Sequence, residues 1–502
     1  KMELFDNLLL GLRVASDPTV LWYCFFGVFL GTAVGVLPGI GALAAISLLL
    51  PMTYHMSPTA AIVMLAGVYY GAQYGGSTAS ILMNLPGGPA AAVTCLDGYP
   101  MAKKGKAGIA LFITTIASLF GAMFGLALLI LFSPTIAEVG LKFGPAELFA
   151  MMVMGLVAAS SMGSGSPVKG LAMMVMGVLL GMVGTDVNSG AARYTMDVPE
   201  LMDGINLVAL AMGLFGVSEV VRGIHGQDDA KKVEKVTLRS MIPAKQEMNR
   251  GYPAMFRGSV IGSALGALPG VGPSIAAFMA YAVEKKVAKR PEEFGHGAVQ
   301  GISAPESANN AAAQTAFVPS LSLGIPGDAV MAIMLGALII HGIQPGPTLI
   351  NEQPEMFWGL VVSFAIGNIM LVLLNIPTIG IWVSLLRIPF KWLYPAILVF
   401  VALGVYSVNN NNFDIYIVAI FGILGYLFML LRFEAAPLLL GYILGPMVEE
   451  NLRRTLLLSR GDPSIFFERP ISATLLAITA AMLCWTLFKF LQRTLRRRYI
   501  PS

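Results

Sequence analysis

One fifteen-residue pattern occurs twice, and each time it breaks an apolar run that would otherwise form a continuous helix. G-x3-G-x3-G-x-L-P-G-x-G runs from Gly27 to Gly41 and again from Gly258 to Gly272, at a constant offset of 231 residues. Proline removes a backbone donor and ends a helix, while glycine permits a tight turn. Backbone groups freed in this way are costly in hydrocarbon unless protein or a water-filled cavity surrounds them. If these runs lie in a membrane, each break must be enclosed by the fold or must line a cavity.

Composition places them there. Hydrophobic residues make up 56% of the 502 and charged residues only 12%, against roughly 25% charged in a soluble domain. Apolar stretches at 109–132, 356–383 and 413–431 each exceed the ~18 residues needed to cross a bilayer. The chain reads as a polytopic membrane protein. The first run is too long for a removable signal peptide and lacks a cleavage pattern. Cys24, Cys95 and Cys484 all lie in apolar segments without C-x-x-C spacing, so they read as small buried hydrophobes. The four histidines have no metal-ligand spacing, and the net charge of +4 reflects loop lysines and arginines rather than nucleic-acid binding.

Those loops alternate. Basic clusters at KKGK (103–106), across 222–257, at KKVAKR (285–290), at Arg387 and Lys391, and at RTLRRR (493–498) face the cytoplasm by the positive-inside rule. Loops at 133–141, 186–203, 341–356 and 407–414 carry little positive charge and face outward. The stretch after Arg432 is short, with Arg453 and Arg454 following, so a short, tilted or irregular crossing is expected there.

The second break is flanked on both sides by basic, cytoplasmic residues, Arg257 and Lys285. A single crossing would put one flank on the wrong side. A re-entrant hairpin would not: arms of ~12 residues reach ~18 Å, near the bilayer midplane. The alternative for one copy is a packing kink, since Gly27, Gly31 and Gly35 also form a close-packing face. Duplication favours the hairpin. Each half also carries a small-polar stretch ending in a second proline-glycine break, YGAQYGGSTASILMNLPGGPAA (70–91) and QGISAPESANNAAAQTAFVPSLSLGIPGDAV (300–330). Aligning the two makes Ser77 correspond to Ser307, with about ten extra residues before Pro326.

Five crossings separate the hairpins, at 58–102, 107–132, 147–160, 168–185 and 206–221. An odd number inverts the second half. The expected fold is therefore an all-α polytopic membrane protein of two inverted-topology repeats, each with a re-entrant helical hairpin and a discontinuous transmembrane helix. An interfacial segment (1–19) precedes repeat one (20–221), and a cytoplasmic linker (222–257) joins it to repeat two (258–447). Residues 448–502 hold a loop, the last transmembrane helix and the basic tail. Interrupted segments in matching positions of two halves point to a transporter's binding site.

Almost no positive charge lies near the four breaks. A helix broken at the midplane exposes N–H groups that attract anions and carbonyls that coordinate cations. The candidate substrate residues are Gly39, Gly41, Ser77, Thr78, Asn84, Gly87, Gly270, Gly272, Ser307, Asn309, Asn310 and Gly327. Glu306 and Asp328 are expensive at that depth without a partner, so with Gln314, Ser80 and Ser322 they are candidates for a coupling ion, Na+ or H+. The competing roles are helix capping or a wet vestibule for the acids, and interhelical hydrogen bonding for Ser77, Thr78, Asn309 and Asn310. No resident cofactor is indicated.

LPGIG and LPGVG, GAQYGGSTASILMNLPG, and ESANNAAAQTAFVPSLSLGIPG resemble the large membrane subunit of bacterial tripartite tricarboxylate transporters, the TctA family, across roughly 18–470. The resemblance implies a small membrane subunit and a periplasmic solute-binding protein as partners. It also implies ion-driven import of carboxylates such as citrate across the inner membrane, with the C-terminus cytoplasmic. An elevator motion is an analogy from other hairpin-repeat transporters. There is no G-x-x-x-x-G-K-[ST] loop for ATP. Two alternatives fit less well. A carboxylate channel would need neither partner nor alternating access. An intramembrane aspartyl protease would need Asp328 to face a second acid, and Asp97 lies beside the cytoplasmic KKGK.

Overall fold

The computed structural model describes every residue except 1, 38–40, 85, 87, 141–142, 162–166, 187–188, 225–235, 269–271, 387–389 and 499–502. The tips expected for the two hairpins fall largely outside the described residues, and Gly39, Gly87 and Gly270 with them. Described strands are confined to a short antiparallel pair, β1 (Gly184–Thr185) with β2 (Ala192–Arg193). Everything else regular is helical.

The first half runs through α1 (Met2–Ala15), α2 (Pro18–Val36), α3 (Gly41–Leu49), α4 (Pro58–Met83), α5 (Ala92–Met101) and α6 (Ala107–Gly140). It continues with α7 (Pro145–Ser161), α8 (Pro167–Gly181), α9 (Leu207–Ala211) and α10 (Ser218–Ile224). The second half opens on α11 (Lys245–Gly266), α12 (Gly272–Val287), α13 (Val299–Thr315), α14 (Phe317–Leu323), α15 (Ala329–Ile340), α16 (Leu349–Glu352) and α17 (Pro354–Asn375). Six helices follow: α18 (Ile379–Leu385), α19 (Phe390–Asn409), α20 (Asn412–Leu430), α21 (Ala436–Leu458), α22 (Ile465–Glu468) and α23 (Pro470–Arg498). Four described helical stretches, Pro18–Val36, Ala92–Phe132, Pro354–Asn375 and Asn412–Leu430, are long and apolar enough to cross a membrane.

Local chemistry explains where several begin. Asp17 accepts from the Thr19 and Val20 amides to start α2, with Pro18 in the first turn. Asn206 starts α9, Asn411 starts α20 and Asp328 starts α15 in the same way.

The two glycine faces do matching work. A Cβ added at Gly27, Gly31 or Gly35 would come closer than 3.0 Å to the carbonyl oxygens of Met64, Val68 and Ala72 on α4. One added at Gly258, Gly262 or Gly266 would do so at Ala304, Ala308 and Ala312 on α13. Glycine lets two backbones approach where any side chain would hold them apart. Gly41 and Gly272 begin α3 and α12 with matching positive φ, 60° and 65°. α4 ends on left-handed Asn84 (φ 56°) and α14 on left-handed Gly324 (φ 69°).

These contacts correct the alignment of the halves. The offset is 231 residues for the hairpin but 240 for the long helix and its break, as Met64 to Ala304 and Asn84 to Gly324 both give. The extra residues therefore lie between α12 and α13, not before Pro326. Ser77 then matches Phe317, and Ser307 matches Gly67. Runs of Gly, Ala and Ser align almost as well in a wrong register as in the right one. Only the carbonyl each glycine meets fixes it.

The units are also interlocked. α6, which follows the first, packs against α11 and α13 of the second, with Gly121 against the Ser307 carbonyl. α17, which follows the second, packs against α2 and α4 of the first, with Gly367 against Cys24. α4 and α13 face one another at the centre. Tyr70 lies against Phe317 and Gln314 while Ser77 lies beside Glu306, so residue numbers rise along one helix as they fall along the other.

Outside this core, α8 meshes with α21 through Gly177, Gly181 and Gly441, and α7 packs on α21 and α23. α21, where the sequence suggests a short, tilted or irregular crossing, is a helix of 23 residues with Pro446 inside it, and it is not among the described helices long and apolar enough to cross a membrane. It runs on through its charged end because those charges are matched. Arg453 reaches Glu449 at 2.6 Å and Asp186 at 3.1 Å, and Arg193 reaches Glu449 at 2.8 Å.

Candidate functional site

The centre of the molecule is a polar face between α4 and α13, supported by α5 and α6. On α13, Glu306, Asn309, Asn310 and Gln314 fall within two turns and are at most 1% exposed. Spacings of three, four and eight residues put them on one side of a helix. On α4, Tyr70, Tyr74 and Ser77 share a face by the same rule, and all are buried.

Glu306 is the acid of this face. The Thr94 hydroxyl donates to its Oε2 at 3.0 Å, and the Ser118 hydroxyl donates to its Oε1 at 3.1 Å. Asn310 Nδ2 donates to the Ser118 hydroxyl at 2.9 Å, to the Glu306 carbonyl at 3.0 Å and to Oε1 at 3.4 Å. Ser77 and Asn309 lie beside the same carboxyl group. Among the described residues no lysine or arginine forms an ion pair with it.

Several polar atoms here make no well-formed hydrogen bond to protein, although Ser77 and Asn309 stand near the Glu306 carboxyl and Tyr70 near Gln314. These atoms are the Tyr70 hydroxyl, Ser77 Oγ, both amide atoms of Asn309, Asn310 Oδ1 and both amide atoms of Gln314. Buried polar groups are normally satisfied, and leaving one unmet costs ~1–3 kcal/mol. A concentration of them on two facing helices marks a place for water or a ligand.

Asp328 sits differently. Its Oδ1 accepts from the Met331 amide at 2.8 Å as the N-cap of α15, and its Oδ2 accepts from the Tyr69 hydroxyl at 2.8 Å. A Cβ at Gly272 would lie 3.2 Å from Asp328 Cβ, so the base of α12 rests on this cap. Asp97 is fully buried. Its Oδ1 takes the amides of Gly295 (2.9 Å), Gly297 (2.8 Å) and Ala298 (2.8 Å), and its Oδ2 takes the Tyr281 hydroxyl (2.9 Å). A protease dyad needs two carboxylates sharing a proton. These two acids have separate sets of partners and share none, so no dyad forms.

The family model described as the tripartite tricarboxylate transporter TctA family matches residues 21–440. The chain belongs to the TctA family.

Two relatives come from Agrobacterium vitis. One, described as "Uncharacterized 52.8 kDa protein in TAR-I ttuC' 3'region", is 50% identical over 480 residues, covering 96% of this chain and 95% of its own. The other, "Uncharacterized protein in TAR-II ttuC' 3'region", is 54% identical over 217 residues, covering 43% of this chain and 90% of its own. No solved structure matches.

In this TctA chain, the residues expected at the site divide into three groups. Ser77, Glu306, Asn309, Asn310 and Gln314 come together at the α4–α13 face, and Thr78 is buried one position from Ser77. Ser80, Ser307 and Gly327 serve the scaffold. Ser80 Oγ donates to the carbonyls of Gly76 and Ala91, Ser307 Oγ donates to that of Met255 on α11, and the Gly327 amide donates to Ser320 Oγ. Asn84 is exposed at the end of α4, and Ser322 is buried on α14. Four residues were not legible beforehand: Thr94, Ser118, Tyr70 and Tyr74. The tyrosines could have been found from their spacing to Ser77 on one helix. Thr94 and Ser118 are lone hydroxyls in apolar runs and carry no sequence signal.

Proposed function

We propose that this chain is the transmembrane subunit of a secondary transporter importing tri- or dicarboxylates such as citrate by alternating access, driven by an inward cation gradient. The observation that carries the reading is the row of buried, unpartnered polar atoms facing each other across α4 and α13. The Tyr70 and Ser77 hydroxyls and the amide nitrogens of Asn309 and Gln314 can donate to carboxylate oxygens without an arginine. Donors of this kind hold an anion firmly enough to select it and loosely enough to release it.

We place the substrate on this face rather than at the starts of α5 and α15. The Thr94 hydroxyl in the first turn of α5 donates to Glu306, and Asp328 caps α15, so a carboxylate of the chain's own already stands near each of these two starts.

Opposed chain directions along α4 and α13 support inverted repeats, and the tie between Gly272 and Asp328 supports a hairpin that moves with its broken helix. Contacts between like-sided loops support the expected topology with a cytoplasmic C-terminus. Lys106 pairs with Glu247 at 2.8 Å and Lys104 with the His296 carbonyl at 2.6 Å, while Asn206 and Asn409 both donate to Asp414. A small membrane subunit and a periplasmic binding protein complete the machine in the bacterial inner membrane.

The test is uptake of radiolabelled citrate into proteoliposomes holding the chain and the small subunit, with the binding protein supplied outside. Uptake is expected to require both the binding protein and an inward Na+ or proton gradient. No uptake of citrate or of a panel of other carboxylates under either gradient would remove the assignment.

A further inference from the structure

The donors on the α4–α13 face suit an anion, but its acceptors do not. Asn310 Nδ2 is fixed by three acceptors, so its Oδ1 is turned away from them and meets no donor. Asn309 Oδ1 and Ser77 Oγ likewise accept no hydrogen bond, and both side chains lie beside the Glu306 carboxylate. Lone pairs without hydrogens, gathered around one uncompensated negative charge, are the environment a hard cation takes from oxygen ligands. The valence follows from the charge count. Among the described residues no three His, Cys, Asp or Glu are grouped so as to hold a metal ion, and a single carboxylate balances a single positive charge.

We propose that the Glu306 carboxylate, Asn309 Oδ1, Asn310 Oδ1 and the Ser77 hydroxyl bind one monovalent alkali cation, Na+ by preference. Asn309 then links the cargoes. With its carbonyl end turned to the cation, its NH2 end, which has no well-formed hydrogen bond of its own, is left to donate to a substrate carboxylate. Occupying either side orients the amide for the other, and the coupling is reciprocal. Asp328 is not among the proposed ligands; it serves as the N-cap of α15 and accepts from Tyr69.

This inference rests on the transporter reading, but its test needs no transport. Thermal unfolding of the full chain in detergent is followed as NaCl replaces choline chloride at constant total salt. A ligand that binds only the folded state stabilises it in a saturable way. Wild type should gain a saturable, Na+-specific rise in midpoint. Glu306→Gln keeps the shape and removes the charge. It should melt like wild type in choline and need at least about tenfold more Na+ for half-saturation. If Glu306→Gln does not fold, Asn310→Ala serves instead and should weaken Na+ in the same direction. Equal stabilisation by Na+ and choline, or an unchanged Na+ response in these variants, overturns the site. Na+ binding without any carboxylate uptake would instead count against the transport assignment alone.

Discussion

Leucine in place of Gly31 is expected to leave little folded protein to purify. Its Cβ would fall closer than 3.0 Å to the carbonyl oxygen of Val68, a backbone atom that no rotamer change can move. Retreat is blocked as well, because Gly71 on α4 meets the Thr32 amide and Val28 carbonyl of α2 just as closely. The helices mesh through glycines on both sides, so relieving one contact opens the others. Overpacking a tight core costs ~1–3 kcal/mol where neighbours can yield, and here the neighbours are main chain. Gly262→Leu should do the same to α11 and α13, since Ala308 stands where Val68 does. Gly380→Ala is the control, as nothing lies within 4 Å of its added Cβ. Size-exclusion profiles of fluorescently tagged variants read the outcome. Control-like peaks for Gly31→Leu and Gly262→Leu would mean that the helices do not pack this closely.

Asp97→Ala is expected to be the most damaging single loss of a polar group. The carboxylate reaches from α5 to the start of α13 and accepts from three amides of the loop before α13, those of Gly295, Gly297 and Ala298, and from one tyrosine. It caps from outside the helix on which Glu306, Asn309 and Asn310 stand. Removing it strands the buried Ala298 amide, at ~1–3 kcal/mol, and frees the more exposed Gly295, Gly297 and Tyr281 donors at less. Asp97→Asn keeps the oxygen that meets the amides and loses only the fit to Tyr281. Thermal midpoints in detergent should therefore fall far more for Asp97→Ala than for Asp97→Asn. Equal, small shifts in the two would show that water replaces the cap without penalty.

Much of this was written in the chain. The duplicated glycine pattern located both close-packed helix pairs, because a row of glycines four residues apart has few other uses among apolar neighbours. Apolar length placed α6, α17 and α20, and the polar residues of 306–314 marked the helix that carries the buried polar face. Register was not legible. Ser77 and Ser307 resembled each other in sequence, yet one faces Glu306 and the other holds α11. Nor could charge counting foresee that α21 would run through Glu449 and Arg453. Its matched partners, Asp186 and Arg193, lie more than two hundred residues away. The partner of Asp328 was hidden for the same reason: Tyr69 comes from the other half of the chain.

The central claim is that the face between α4 and α13 holds the carboxylate. Ser77→Cys tests it most directly, in a background with Cys24, Cys95 and Cys484 replaced by alanine. Ser77 is only 3% exposed, so a membrane-impermeant thiol reagent should reach it only when the transporter opens. The measurement is the modification rate in membranes with and without saturating citrate and Na+. The account predicts slow modification that citrate with Na+ suppresses. A rate indifferent to every carboxylate that the transporter carries would place the substrate elsewhere.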